Sequence, residues 1–271
     1  MNGDEQALSG GHMSGAVRVG ATVRKPKQRQ SATIQRLLAH VRAQGVTWVP
    51  EPLGTDEQGR DVWSFIEGQV VHDEPEWLWS VDILGTVARR LREWHDATES
   101  FERRNDDVWW WPGKLPAEVI CHVDFAPYNH VFEAQRFVGA IDFDICYPGP
   151  RLWDLAYTAY RYLPLTPHVD DPLVDGANWG RTRLPPEEIA QRLQVFLDAY
   201  AEGRRELRYA SAELLGYVTP RLIAMADWCD RQQDEALRRN GFMYRAHAHW
   251  LAGGGRGAAD PIHVRDAPRS G

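Results

Sequence analysis

Between Asn129 and Asp142 the chain reads Val131-Phe132, a Glu-Ala-Gln-Arg turn, and Phe137-Val138-Gly139-Ala140-Ile141. Two short apolar runs around a tight turn predict an antiparallel hairpin, which returns the chain to the level at which it started. The residue just before the first strand must therefore end beside the residue just after the second. Asn129 and Asp142 become neighbours. His122-Val123-Asp124 stands immediately upstream on the same loop as Asn129, and Asp154-Leu155-Ala156-Tyr157 opens a helix downstream.

Phosphoryl transfer has separate uses for these residue types. A carboxylate beside an acceptor hydroxyl orients it and takes its proton, while an amide oxygen and a second carboxylate hold magnesium on nucleotide phosphates. Asp124 suits the first task, and Asn129 with Asp142 suits the second. Taken singly, an Asp or Asn in a loop is usually a turn former or a helix cap. Their joint order, with an apolar strand before Asp142, favours a kinase. A metal-dependent hydrolase built on His122 and the carboxylates is the rival, and it lacks a second His at ligand spacing.

The stretch resembles the catalytic loop of the aminoglycoside phosphotransferase (APH) family, whose members carry H-G-D-x-x-x-x-N, then I-D-W or I-D-F, then D-L-A. The resemblance implies an α+β, protein-kinase-like two-lobed fold, with a small N-lobe built on an antiparallel sheet and a larger, mainly helical C-lobe. It implies that Asp124 is the catalytic base, that Asn129 and Asp142 ligate Mg2+, that His122 braces the loop, and that Asp154 hydrogen-bonds the loop from the following helix. Val123 stands where the family has Gly, which suggests a somewhat different backbone there. Asp144 is a further candidate, as a second metal ligand, a contact for a cationic substrate, or a turn cap. The co-substrate implied is ATP or GTP, and the acceptor a small hydroxylated molecule, with amine-bearing compounds among the candidates.

The amino-terminal part fits a nucleotide-binding lobe over residues 1–68. Gly10 and Gly11 lie in a Gly-rich turn between strand candidates, where backbone could approach phosphates. In Thr22-Val23-Arg24-Lys25, strand alternation sends Arg24 and Lys25 to opposite faces, so only one can reach the nucleotide. The family pattern, a basic residue after an apolar one, favours Arg24, with Lys25 the alternative. Apolar Ile34, Leu37, Leu38 and Val41 predict an amphipathic helix over 31–43, similar to the one that supplies an ion-pairing Glu in the family. Here Gln35 stands near that place. Strands are expected over 46–53 and 61–66, and Ser64, Phe65 and Ile66 open a segment through Gly68 that resembles an adenine-binding hinge.

Residues 69–252 are read as the catalytic and substrate lobe. A helix is expected over 78–98, in which His95 reads as a cap or core residue. Trp109-Trp110-Trp111 reads as interlobe packing with one ring open to substrate. Residues 164–188 read as a lid or linker carrying Asp170, Asp171 and Asp175, followed by helices over 189–202, 210–233 and 235–251 and a flexible tail over 253–271.

The 271 residues are 43% hydrophobic and 25% charged, an ordinary globular balance with room for a sizeable core. Three scattered cysteines indicate neither a disulfide framework nor a zinc site. A formal charge of -7 gives no footprint for nucleic acid. No apolar run approaches a membrane span, so a cytoplasmic protein with no membrane partner is expected. A binding or immunity module that keeps the fold is the second functional reading, favoured by the absent helix Glu. A kinase acting on polypeptides is third, because no activation segment ending in A-P-E follows Asp142.

Overall fold

Short alternating segments near the amino end pair into one antiparallel sheet. The computed structural model describes residues 5–8, 15–72, 75–166 and 184–253. Strands β1 (Gln6–Ala7), β2 (Val17–Val19), β3 (Thr22–Lys25), β4 (Pro52–Thr55) and β5 (Asp61–Ser64) are ordered β1-β2-β3-β5-β4. Helix α1 (Ser31–Ala43) lies in the connection from β3 to β4 and buries the expected stripe of Ile34, Leu37, Leu38 and Val41. The strand expected over 46–53 begins only at Pro52. Trp48 is instead drawn into the core beside Phe125 and Phe137, and its carbonyl accepts the Ala140 amide at 3.1 Å. The turn with Gly10 and Gly11, the three Asp of the proposed lid, and the tail beyond Gly253 lie outside the described residues.

The rest is mainly helical. Helices α2 (Val81–Glu99), α3 (Arg151–Tyr162), α4 (Pro186–Tyr200), α5 (Ser211–Cys229) and α6 (Glu235–Ala252) pack around a core that includes Trp94, Leu155, Phe196 and Leu222. Two small antiparallel sheets sit against them. Strand β6 (Gln69–Val70) pairs with β8 (His130–Glu133), which pairs with β9 (Arg136–Ala140), while β7 (Val119–Cys121) pairs with β10 (Tyr147–Gly149). The hairpin expected between Asn129 and Asp142 is β8–β9, with Ala134 and Gln135 both at positive φ in the tight turn that suits right-handed strand twist. This is an α+β fold of two lobes, a five-stranded sheet with one helix and a helical body.

Between β5 and β6 the chain passes through Gly68, where φ is 138°. A Cβ there would stand 2.7 Å from the Val131 side chain and 2.8 Å from the Phe132 carbonyl oxygen. Only glycine gives both the dihedral and the clearance. Gly68→Ala is therefore expected to destabilise the protein by roughly 2 kcal/mol or more through strain and overpacking, read as a lowered thermal midpoint.

Candidate active site

The loop from His122 to Asn129 is fixed from below by one carboxylate. Asp154, fully buried in the first turn of α3, accepts the His122 amide at Oδ2 and the Val123 amide at Oδ1, both at 2.7 Å. His95 of α2 completes the set with Nε2 3.1 Å from Oδ2, its Nδ1 meeting the Tyr200 hydroxyl at 2.7 Å. Burial pushes the Asp154 carboxyl up, but the hydrogen bonds from the His95 ring and the His122 amide outweigh it and hold the group below its ordinary value. His95 is thus a core histidine, as its sequence context indicated, and it orients the residue that holds the loop.

His122 ties the loop to the strand that precedes Asp142. Its Nδ1 accepts the Asp124 amide at 3.3 Å, so Nε2 carries the proton and donates to the Ile141 carbonyl at 3.2 Å. Asn129 fastens the same two segments, since its carbonyl accepts the Ile141 amide at 2.8 Å. Asn129 Nδ2 donates to both the carbonyl and Oδ2 of Asp124, each at 2.9 Å. That fixes the amide's orientation, so its Oδ1 is the atom that could serve a metal. Asp142 follows Ile141 in the left-handed region (φ 65°, ψ 56°) with its carboxylate partly exposed.

Lys25, not the favoured Arg24, reaches this cluster. Lys25 Nζ lies 3.2 Å from Asp142 Oδ1 and forms a closer ion pair with Asp144 Oδ2. Burial lowers the ammonium's proton affinity, but Asp142 and Asp144 outweigh it and keep the group charged. Arg24 is turned to the other face of β3, where Nε stands 3.5 Å from Asp56 and a terminal nitrogen bonds Thr22. Strand alternation forces this choice. Gln35 does not serve the basic residue either. It donates to Asp61 Oδ1 at 2.7 Å, beside the Ser31 hydroxyl, and α1 reaches the cluster through Gln30 Nε2, 3.0 Å from the Asp144 carbonyl. Asp144 is thus an ion-pair partner of Lys25, and burial raises its carboxyl above the ordinary value against the pull of Lys25.

The donor set suits magnesium. Asn129 Oδ1 and an Asp142 carboxylate oxygen are hard oxygen ligands, and no cluster of three or more His, Cys, Asp or Glu among the described residues could hold a metal alone. Two protein ligands with the remaining positions left to phosphate and water is the arrangement Mg2+ takes. The expected hinge is shorter than its sequence suggested. The Ser64 amide donates to Glu51 and the Phe65 amide to Ala21, both at 2.9 Å, so the N-lobe sheet takes two of its donors and the free stretch begins at Ile66.

Comparison with known proteins agrees with this geometry. Residues 75–208 match the model of the phosphotransferase enzyme family, APH. The trifolitoxin immunity protein of Rhizobium leguminosarum bv. trifolii is 32% identical over 209 residues, covering 75% of this chain and 76% of that protein. The chain belongs to the phosphotransferase enzyme family. Solved structures share its fold at low identity. A choline/ethanolamine kinase family protein from Mesorhizobium loti has a TM-score of 0.60 at 18% identity, covering 92% of this chain and 88% of that one. The GDP complex of aminoglycoside 2'-phosphotransferase-IIIa has 0.56 at 15%, covering 94% of each. The two-lobed architecture is thus protein-kinase-like, and the chain is a phosphotransferase acting on hydroxyl groups.

Val123 stands where the family motif has Gly. It adopts φ 69°, the left-handed conformation that glycine takes freely. For an L-residue this costs roughly 1–2 kcal/mol, and a β-branched one is a pronounced outlier. Sequence reasoning also passed over Tyr128. Its hydroxyl donates to Asp124 Oδ1, then meets Tyr157 of α3 at 2.9 Å, which meets Tyr244 of α6 at 2.9 Å. The spacing of four from Asp124 was the available signal. The tryptophan run divides its work: Trp109 packs on Phe101, Trp111 on Tyr147 and Trp228, and the Trp110 carbonyl accepts Arg29 at 2.7 Å.

Burial lowers the proton affinity of His95, His122 and His130, with the charge of His122 adding to the effect on His130. Each takes up a proton less readily folded than unfolded, so no stability is lost above the unfolded value, about 6.5. Below it the unfolded chain binds more protons. Urea midpoints are expected to be flat between about pH 7 and 8 and to fall as pH drops through about 6; a midpoint that rises on acidification would contradict neutral, buried imidazoles.

Proposed function

We propose that this phosphotransferase moves the γ-phosphoryl group of ATP or GTP, with magnesium, onto a hydroxyl of a small acceptor of the aminoglycoside type or another hydroxylated amine. The observation that carries this reading is the convergence of Asp124 and Asn129 from one loop, Asp142 from the end of β9 and Lys25 from β3: Asn129 bonds Asp124 and the Ile141 amide, and Lys25 pairs with Asp142. On this reading residues 1–68 form the nucleotide lobe and residues 69–252 the catalytic and acceptor lobe. The backbone from Ile66 to Gly68 meets the base, and Lys25 meets the phosphates.

Asp124 orients the acceptor hydroxyl through an oxygen lone pair not taken by Tyr128 or Asn129, and receives its proton as the new O–P bond forms and the γ-phosphoryl group leaves the nucleoside diphosphate. Asn129 Oδ1 and the Asp142 carboxylate would hold Mg2+, which would supply charge neutralisation for the phosphates. Lys25 adds a fixed positive charge on the other side, and His122 and Asp154 keep Asp124 at its station. A second reading, a nucleotide-binding immunity module without turnover, is favoured by the name of the 32% identical relative.

The deciding experiment measures magnesium-dependent consumption of ATP and GTP by the purified protein against aminoglycosides, other hydroxylated amines and peptide antibiotics. Turnover with one acceptor, reduced by about a hundredfold or more in Asp124→Asn, is expected; nucleotide binding with no turnover on any acceptor supports the second reading. Burial pushes the Asp124 carboxyl up, and the Tyr128 hydroxyl and nearby positive charge pull it back. Tyr128→Phe should therefore move the acid limb of the pH–rate profile to higher pH. Lys25→Met should raise the nucleotide KM about tenfold or more, whereas Arg24→Met should leave it within about twofold.

A further inference from the structure

The peptide groups on either side of Val123 are held from opposite directions by two buried charges. On one side Asp154 of α3 accepts the Val123 amide at 2.7 Å. On the other, Arg221 of α5 donates from Nη2 to the Val123 carbonyl at 2.5 Å. The side chain between them is itself packed against Cys121, Tyr147 and Trp153. A valine at φ 69° is thus gripped at its amide, its carbonyl and its side chain.

Arg221 is built into this place rather than draped over it. It is 1% exposed, with its guanidinium 4.6 Å from the Tyr157 ring centre and 5.3 Å from that of Trp153. Among the described residues it pairs with no carboxylate, and Nε and Nη1 have no hydrogen-bond partner. Among the described residues its hydrogen bond is to the Val123 carbonyl. A buried cation without a counter-ion is costly, and here the compensating charge, Asp154, lies across a single residue of backbone.

We propose that Arg221 is a positioning residue that clamps Val123 in the left-handed conformation and thereby sets the direction of Asp124. The physical logic is specific to valine. Without the donor on its carbonyl, a β-branched residue relaxes towards the β or right-handed region, and the next peptide, which carries Asp124, rotates with it. Glycine needs no such clamp, because the left-handed region is open to it. Arg221 thus compensates for valine at the position where the family pattern has glycine.

The proposal rests on the phosphotransferase reading for its kinetic consequence, and the test separates the two. Four full-length proteins form a cycle: the natural chain, Arg221→Met, Val123→Gly and the double variant. The readouts are magnesium-dependent hydrolysis of ATP and GTP with water as acceptor, nucleotide KM, and thermal midpoint. Arg221→Met is expected to lower kcat about tenfold with nucleotide KM within about twofold, and Val123→Gly in that background to restore most of the loss. The fall in thermal midpoint on removing Arg221 is likewise expected to be smaller in the Val123→Gly background than in the natural one. Equal losses in the two backgrounds would overturn the clamp, since a merely structural arginine is indifferent to the residue whose carbonyl it meets. If neither nucleotide is hydrolysed, the kinetic reading fails and the thermal cycle alone decides the clamp. Should Arg221→Met not fold, Arg221→Lys, with a shorter reach and a single ammonium, completes the same cycle.

Discussion

The buried carboxylate of Asp154 is the fixed point of the molecule. It takes the amides of His122 and Val123 and the imidazole of His95, so one side chain joins α2, α3 and the loop after β7. An ionised carboxylate inside the protein is tolerable only when such donors surround it. The same requirement orders the loop, because two of the donors are loop amides that would otherwise be orphaned. Charge satisfaction and loop geometry are therefore a single constraint, and the position of Asp124 follows from it.

From that point the site is assembled by hydrogen bonds to the Ile141 backbone and by one cluster of ion pairs. The Asn129 carbonyl on the Ile141 amide and the His122 ring on the Ile141 carbonyl bracket the residue before Asp142. Lys25 then reaches from the five-stranded sheet to Asp142 and Asp144. This ion pair links the lobes at the centre of the site, while Trp48 and Ala140 link them through apolar packing and a main-chain hydrogen bond. The absent helix carboxylate is thereby answered without a residue on α1: the partner of the basic side chain comes from the 3-10 turn after β9, and α1 touches that turn through Gln30.

Much of the fold was legible in local pattern. The hairpin around Ala134 and Gln135, the span of α1 and the placing of Asp154 at a helix start all follow from periodicity and turn chemistry, which act over a few residues. The strand expected over 46–53 failed because Trp48 gains more from the core beside Phe125 and Phe137 than from a ladder, a competition between segments far apart in sequence. The preference for Arg24 failed for a different reason. Family order placed a basic residue, but the face of β3 was settled by its pairing with β5, which sets Lys25 opposite Asp61.

The sequence by itself determined which groups are present and which of them neighbour one another along the chain: a base and an amide on one loop, a carboxylate returned by a hairpin, and an acid at the head of the next helix. Only the tertiary structure decided what acts on them from a distance. That Lys25 pairs with Asp144 and that Arg221 of α5 meets the carbonyl of a left-handed Val123 depend on helix and sheet packing across separations of 119 and 98 residues. Short-range dihedral and turn preferences carry no information about such contacts, because burial and charge compensation select them after the elements have docked.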